Sequence, residues 1–191
     1  MMYLLLAFMA LFHSHTANYT RMVDHVSASV VRIDVTKEEG HGVCTGFVIA
    51  KQRVLTAAHC AGAIQVDGVP ATVLKVDGNS DLLLLKADTK KAPLVFNDVD
   101  VWRFEPLTAI GYGLGWKQLT ILHVTVAIVA QSPEEGYPVD IVVQTEYVHG
   151  MSGGPVVDAD GKIVGIVQAG EEGLGFGVGT QLIKAFLLGT E

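Results

Sequence analysis

From Ala28 onward the chain is a succession of short stretches rich in Val, Ile and Thr, broken every few residues by turn signals. That rhythm restricts it to an all-β fold. Residues Ser29–Val35, Val43–Ala50, Ala63–Val66, Ala71–Val76 and Leu82–Ala87 read as strands of a first series. Leu82–Ala87 is nearly continuous in apolar residues, the pattern of a strand covered on both faces. Glu39-Gly40, Asp67-Gly68 and Asp77-Gly78-Asn79 punctuate this series. A second series comprises Leu107–Ile110, Leu119–Ala130, Val139–Thr145, Lys162–Gln168 and Gly175–Gly179. Its turns fall at Gly111–Gly115, Pro133–Gly136 and Asp158–Gly161. Gln181–Leu188 has helical spacing and meets no Gly or Pro until Gly189, which predicts a C-terminal helix. Periodicity alone leaves a sandwich and a pair of barrels both open.

The 191 residues are 50% hydrophobic and 17% charged, enough for a core in one domain or two small subdomains. A formal net charge of −7 and the lack of any Lys/Arg run beyond Lys90-Lys91 argue against nucleic-acid binding. No glycine-rich phosphate loop joins a strand to a long helix. The seven histidines show no tight ligand spacing beyond His13-x-His15. Neither a cofactor nor a metal is expected.

Met2–Phe12 is an unbroken apolar run, and the first basic residue is Arg21. As a helix the run would span about 16 Å, against a hydrocarbon core of about 30 Å, so a membrane span is not expected. Its length fits the apolar core of an export signal, with residues 1–20 as leader and 21–191 as the folded domain. The missing basic flank and the mediocre cleavage site at His15-Thr16-Ala17 weaken that reading, and a buried N-terminal helix is the alternative.

Three segments carry chemistry: Thr56-Ala57-Ala58-His59-Cys60, Asp81-Leu82-Leu83-Leu84-Leu85-Lys86 and Gly150-Met151-Ser152-Gly153-Gly154-Pro155. A serine hydroxyl is a poor nucleophile unless a base stands beside it, and that base needs a third group to hold its tautomer. His59, Asp81 and Ser152 supply those three residue types. Taken singly, each has a plainer reading: an interior histidine, a strand-capping carboxylate, a turn serine. Asp67 and Asp77 are nearby alternatives for the carboxylate, but only Asp81 opens an apolar strand.

Taken together, the three motifs resemble the trypsin/chymotrypsin superfamily of serine peptidases, including its HtrA/Deg-type members. The order His, Asp, Ser is that of the chymotrypsin-type enzymes, and the resemblance runs from about Ala28 to Leu188. It implies two six-stranded antiparallel β-barrels, about 28–96 and 107–180, joined by Asn97–Pro106 and followed by a helix over about 181–188. It implies a disulfide between Cys44 and Cys60, a bond that persists in oxidising compartments and points to a secreted or periplasmic protein. It implies an oxyanion hole formed by the N–H groups of Gly150 and Ser152. By register, Glu146 would lie at the base of the specificity pocket and His149 at its rim. Ala169, Gly170 and Gly177 would form its walls, and Gln168–Gly170 would pair with substrate backbone. A buried Glu146 would favour Lys or Arg at the cleavage site, whereas a Glu146 turned to solvent would leave a pocket for small apolar residues.

Two departures matter. Met151 stands where digestive trypsins carry an aspartate that pairs with a freed amino terminus, and no Ile-Val-Gly-Gly-like segment is present. Activation by insertion of a cleaved terminus is therefore not expected. A PDZ domain after Glu191 is likewise not expected. The expected function is a serine endopeptidase acting on protein or peptide substrates through an acyl-enzyme. The alternative of another class is a catalytically silent relative that binds peptides without cleaving them.

Overall fold

The computed structural model describes residues 16–38, 40–99, 101–129 and 140–188. The apolar run lies outside the described residues. Helix α1 covers 16–27 and sets Met22, Val23 and Val26 into the core beside Val157, Ile163 and Phe186. It therefore starts within the stretch assigned to a leader. Its apolar residues at i, i+1 and i+4 make one buried face, seated on the turn at Gly161, where a Cβ would meet Val26 at 3.1 Å.

The first half contains β1 (Val30–Lys37), β2 (Gly40–Ala50), β3 (Arg53–Ala57), β4 (Ala63–Val66), β5 (Val69–Pro70), β6 (Thr72–Asp77) and β7 (Leu82–Lys86). These form one antiparallel sheet in the order β5-β4-β1-β2-β3-β7-β6. The fold is chymotrypsin-like, but this half is a half-barrel of seven strands whose end strands, β5 and β6, do not pair with each other. Leu82 to Leu85 are fully buried because β7 lies between β3 and β6 and faces apolar clusters on both sides. Burying each such side chain contributes about 1.5–3 kcal/mol.

The second half contains β8 (Pro106–Gly111), β9 (Thr120–Val129), β10 (Ile141–Val143), β11 (Pro155–Val157), β12 (Ile163–Glu171) and β13 (Leu174–Gly179). They close a six-stranded barrel in the order β10-β13-β12-β11-β8-β9. Helix α2 (Thr180–Leu187) buries Ile183 and Phe186 in the same cluster that receives α1.

The connector crosses between the halves by pairing locally. Asn97 N–H donates to Ile163 at 2.8 Å, and Ile163 N–H donates to Val95 at 2.8 Å. Lys184 holds the connector's Asp98 at 2.6 Å.

Three strands were absent from the sequence reading: the two-residue β5, which follows the Asp67-Gly68 turn and pairs with β4, and the longer β3 and β11. β3 follows β2 after a turn at Lys51-Gln52, where Gln52 takes a left-handed φ of +58° without a glycine to announce it. β11 opens on Pro155, which a strand tolerates at its first residue.

Candidate active site

His59 sits in a short 3₁₀ turn, Ala58–Cys60, directly after β3. The turn is tied down at Cys60 by a disulfide to Cys44 on β2, with Cα atoms 6.3 Å apart. Asp81 precedes β7 and adopts φ +49°, a left-handed conformation that Asp tolerates better than most residues. The turn before it is ordered by Asp77, whose carboxylate accepts the Asn79 N–H at 2.9 Å and the Ser80 hydroxyl at 2.6 Å. The Ser80 hydroxyl, more than any other neighbour, holds the Asp77 carboxyl below its ordinary range.

Asp81 grips His59 twice. One carboxylate oxygen lies 2.7 Å from Nδ1, and the other accepts the backbone N–H of His59 at 2.7 Å. The backbones lock as well, since Ala58 N–H donates to the Asp81 carbonyl at 3.0 Å. With a proton on Nδ1, the imidazole presents Nε2 as its basic atom. About half of the imidazole is exposed, against a fifth of the Asp81 side chain, so the carboxylate is the more sheltered of the two.

Ser152 lies in the turn between β10 and β11. Its hydroxyl donates to the carbonyl of Gln168 at 3.0 Å, and no Ser152–His59 hydrogen bond occurs among the described contacts. His59 and Ser152 line one groove, together with Cys44, Cys60, His149 and Gly150. The turn is built by cross-half bonds. Thr45 N–H on β2 donates to the Ser152 carbonyl at 2.9 Å, and the buried Thr45 hydroxyl donates to the Gly150 carbonyl at 2.7 Å. That hydroxyl also accepts the Tyr112 N–H at 2.8 Å.

Within the turn, the N–H groups of Met151, Gly153 and Gly154 are taken by the carbonyls of Val148, Val167 and Met151. Among the described residues, those of Gly150 and Ser152 have no backbone acceptor. Gly150 has φ +93°, and a Cβ there would lie 2.3 Å from the Tyr112 carbonyl, so only glycine fits. Met151 is fully buried in the apolar cluster of the second barrel.

The remaining expected site residues are spread more widely. Gln168 is buried and forms a bulge in β12, between the registers of Val167 and Ala169. Its side-chain amide donates to the Ser80 carbonyl at 3.2 Å, beside Asp81. Ala169 is exposed and pairs with Phe176; Gly170 pairs with Gly175. Glu146 is exposed and accepts the Gly173 N–H at 3.2 Å, so it does not form a buried charged base. The neighbouring Tyr147 is the buried residue, and burial pushes its phenol well above the ordinary range. Gly177 pairs with Ile141 and Val167 in the barrel wall, where a Cβ would strike the Ile166 carbonyl. Gly170 and Gly175 are the glycines that abut the 145–147 segment, with a Cβ at 2.4 Å from the Tyr147 carbonyl and 2.5 Å from the Thr145 carbonyl. Gly175 was not singled out from the sequence, although the alternating glycines at 173, 175, 177 and 179 carried a signal of close backbone approach. The sulfurs of Cys44 and Cys60 lie near His59, but the disulfide that joins them leaves no thiolate to ligate a metal.

Comparison with known proteins agrees with this geometry. Residues 44–166 match the trypsin-like peptidase domain, and the chain belongs to that family. It is 30% identical over 165 residues to HhoB of Synechocystis sp., a protein that carries a serine-protease assignment. That match covers 76% of this chain and 39% of HhoB, so the chain spans about two fifths of that relative's length. Among solved structures, the active form of the Rv3671c protease from M. tuberculosis superimposes with a TM-score of 0.76 at 25% identity, covering 87% of this chain and 82% of that one. The HtrA-type protease AlgW, solved with a tripeptide, shares the fold with a TM-score of 0.75 at 24% identity, covering 87% of this chain and 61% of that one.

Proposed function

We propose that this chain is a serine endopeptidase in which Ser152 attacks the scissile carbonyl, His59 takes and returns the proton, and Asp81 holds the imidazole. The double grip of Asp81 on His59 carries the reading, because a carboxylate spent on both Nδ1 and the backbone N–H fixes ring and tautomer together. For attack, the serine hydroxyl must leave the Gln168 carbonyl and turn to Nε2 of His59, which lines the same groove. The free N–H groups of Gly150 and Ser152 then receive the negative charge of the tetrahedral intermediate. Collapse expels the amine, which leaves with the proton from His59, and water repeats the sequence on the acyl-enzyme.

Substrate backbone pairs along Gln168–Gly170, where Ala169 is exposed. With Glu146 turned outward and Tyr147 buried, the specificity site offers no buried carboxylate to Lys or Arg, and small apolar side chains are the expected substrates at the cleavage site. Glu146→Ala should change turnover of Ala- and Arg-ending peptides equally, and a loss confined to Arg-ending peptides would refute this pocket. The fully buried Met151 offers no charge to a freed amino terminus, which supports activity without zymogen cleavage. The Cys44–Cys60 disulfide supports residence in an oxidising, exported location. Among the described residues, no helix is long and apolar enough to cross a membrane.

The test is labelling by a fluorophosphonate, read as intact mass, beside a Ser152→Ala control. One adduct on the parent chain and none on the control is the expected result. A folded parent chain that takes no label would refute the peptidase reading in favour of a silent peptide-binding relative.

A further inference from the structure

We propose that Arg32, far from the catalytic motifs on β1, is a positioning residue that holds the oxyanion turn in its working orientation through the loop at Gly113–Gly115. The inference rests on the peptidase reading above. It begins with the peptide between His149 and Gly150. The His149 carbonyl accepts the N–H of Leu114 at 2.6 Å. A trans peptide places its C=O and N–H on opposite sides. The bond to Leu114 therefore sends the Gly150 N–H away from that loop and keeps it free in the groove that Gly150 lines. If this peptide turned over, the groove would receive a carbonyl oxygen, which repels a developing oxyanion where an N–H attracts it.

The loop that supplies this N–H is anchored at the buried Gly113 but is unfavourable at its tip. Leu114 has φ +57° and Gly115 φ +71°, two left-handed residues in succession, and left-handed backbone is unfavourable for leucine. The Leu114 side chain is 57% exposed, so burial does not offset that cost. Arg32 reaches across from the other half of the molecule to the end of this loop. Its Nη1 donates to the carbonyls of Gly115 at 2.9 Å and Trp116 at 3.0 Å. The guanidinium is itself fixed by Asp34, which accepts from Nε at 2.9 Å and stands 2.9 Å from Nη2. Planar, multiply donating geometry of this kind belongs to arginine and is not reproduced by lysine. The line of support runs from Asp34 to Arg32, to the Gly115 and Trp116 carbonyls, to the Leu114 N–H, and so to the His149 carbonyl. It ties the half that carries His59 and Asp81 to the half that carries Ser152, at the one peptide whose orientation decides whether the hole exists.

The experiment compares the parent chain with Arg32→Met, which retains an apolar stem, and with Asp34→Asn at a half-exposed carboxylate. Turnover of a peptide p-nitroanilide ending in Ala is measured together with inhibition by the matching peptide boronate, which mimics the tetrahedral intermediate. Loss of a whole oxyanion donor costs about 10²–10³ in turnover, so Arg32→Met should lower kcat by about tenfold or more with KM within about twofold. Boronate affinity should fall in parallel, and Asp34→Asn should show a smaller loss with the same signature. A purely structural role would instead lower the folded fraction and leave kcat per folded molecule and boronate affinity unchanged. That result, or parent-like kcat in a folded Arg32→Met, overturns the proposal. If Arg32→Met does not fold, Asp34→Asn decides: parent-like kcat and boronate affinity there overturn it. Failure of the parent chain to turn over or to label would strike the peptidase reading itself, and this inference with it.

Discussion

Replacing Thr45 by Val tests whether the turn at Gly150–Ser152 is held by one buried hydroxyl. The substitution keeps the shape of the side chain and removes a group that makes two bonds, to the Gly150 carbonyl at 2.7 Å and from the Tyr112 N–H at 2.8 Å. Thr45 is fully buried, and a methyl in place of the hydroxyl leaves both backbone groups without that partner. An orphaned buried polar group costs about 1–3 kcal/mol. The Tyr112 side of the pair is less enclosed, so the total should be about 2–4 kcal/mol. Thr45→Ser is the control, because it keeps both bonds and loses one methyl, at about 0.8 kcal/mol plus a small void. Urea unfolding gives the comparison directly. With a slope of about 2–3 kcal/mol per molar for a domain of this size, Thr45→Val should unfold about 1 M earlier than the parent chain at unchanged slope. Its kcat should fall further than Thr45→Ser, since the freed Gly150 carbonyl lets the turn shift. A Thr45→Val midpoint equal to that of Thr45→Ser would refute the argument, because the hydroxyl would then contribute nothing that its methyl does not.

Three further outcomes follow from the same geometry. Converting both Cys44 and Cys60 to Ala opens a loop of sequence separation 16 and should cost about 3 kcal/mol, seen as a lower Tm that no longer responds to reductant; an unchanged Tm would refute it. Gly153→Ala would place a Cβ 2.2 Å from the Thr56 hydroxyl and 2.3 Å from the Thr45 carbonyl at φ +82°, so it should cost about 3 kcal/mol or more, and a stable, active variant would show that the turn yields. Glu105 is buried, and burial raises its carboxyl above the free value of 4.5 despite the bond from Trp102 N–H. The folded chain thus binds this proton more tightly than the unfolded one. The contribution of Glu105 is fully present below 4.5 and is lost as pH rises through the folded value. Glu105→Gln should remove that decline, so the Tm difference between variant and parent should grow from pH 4 upward; a difference that shrinks would reverse the sign.

The three residues proposed for catalysis stood out in the sequence because each is embedded in a local pattern. The histidine precedes a cysteine, the carboxylate opens an apolar strand, and the serine stands among glycines that leave room for a tight turn. What the linear pattern did not carry was any contact whose partner lies far along the chain. β3 was missed because Gln52 turns the chain without a glycine. Helix α1 was missed because its short buried face is explained only by a cluster drawn from both halves and by Gly161 beneath it. Glu146 was placed by register at the pocket base, yet adjacent residues in such a segment face opposite ways, and here Tyr147 takes the interior.

The sequence by itself determined an all-β chain with a histidine, a carboxylate and a serine in the order of a trypsin-like peptidase, since strand rhythm and turn chemistry are local properties written in neighbouring residues. The tertiary structure alone decided that the first sheet remains a seven-stranded half-barrel while the second closes. It also decided that Glu146 faces outward and that Thr45 and Arg32 reach across to the turns beside Ser152. Those outcomes depend on which side of a peptide or strand meets its neighbour. In the sequence, Arg32 stands more than eighty residues from the carbonyls it holds, and only the packing of the two halves brings them within hydrogen-bond reach.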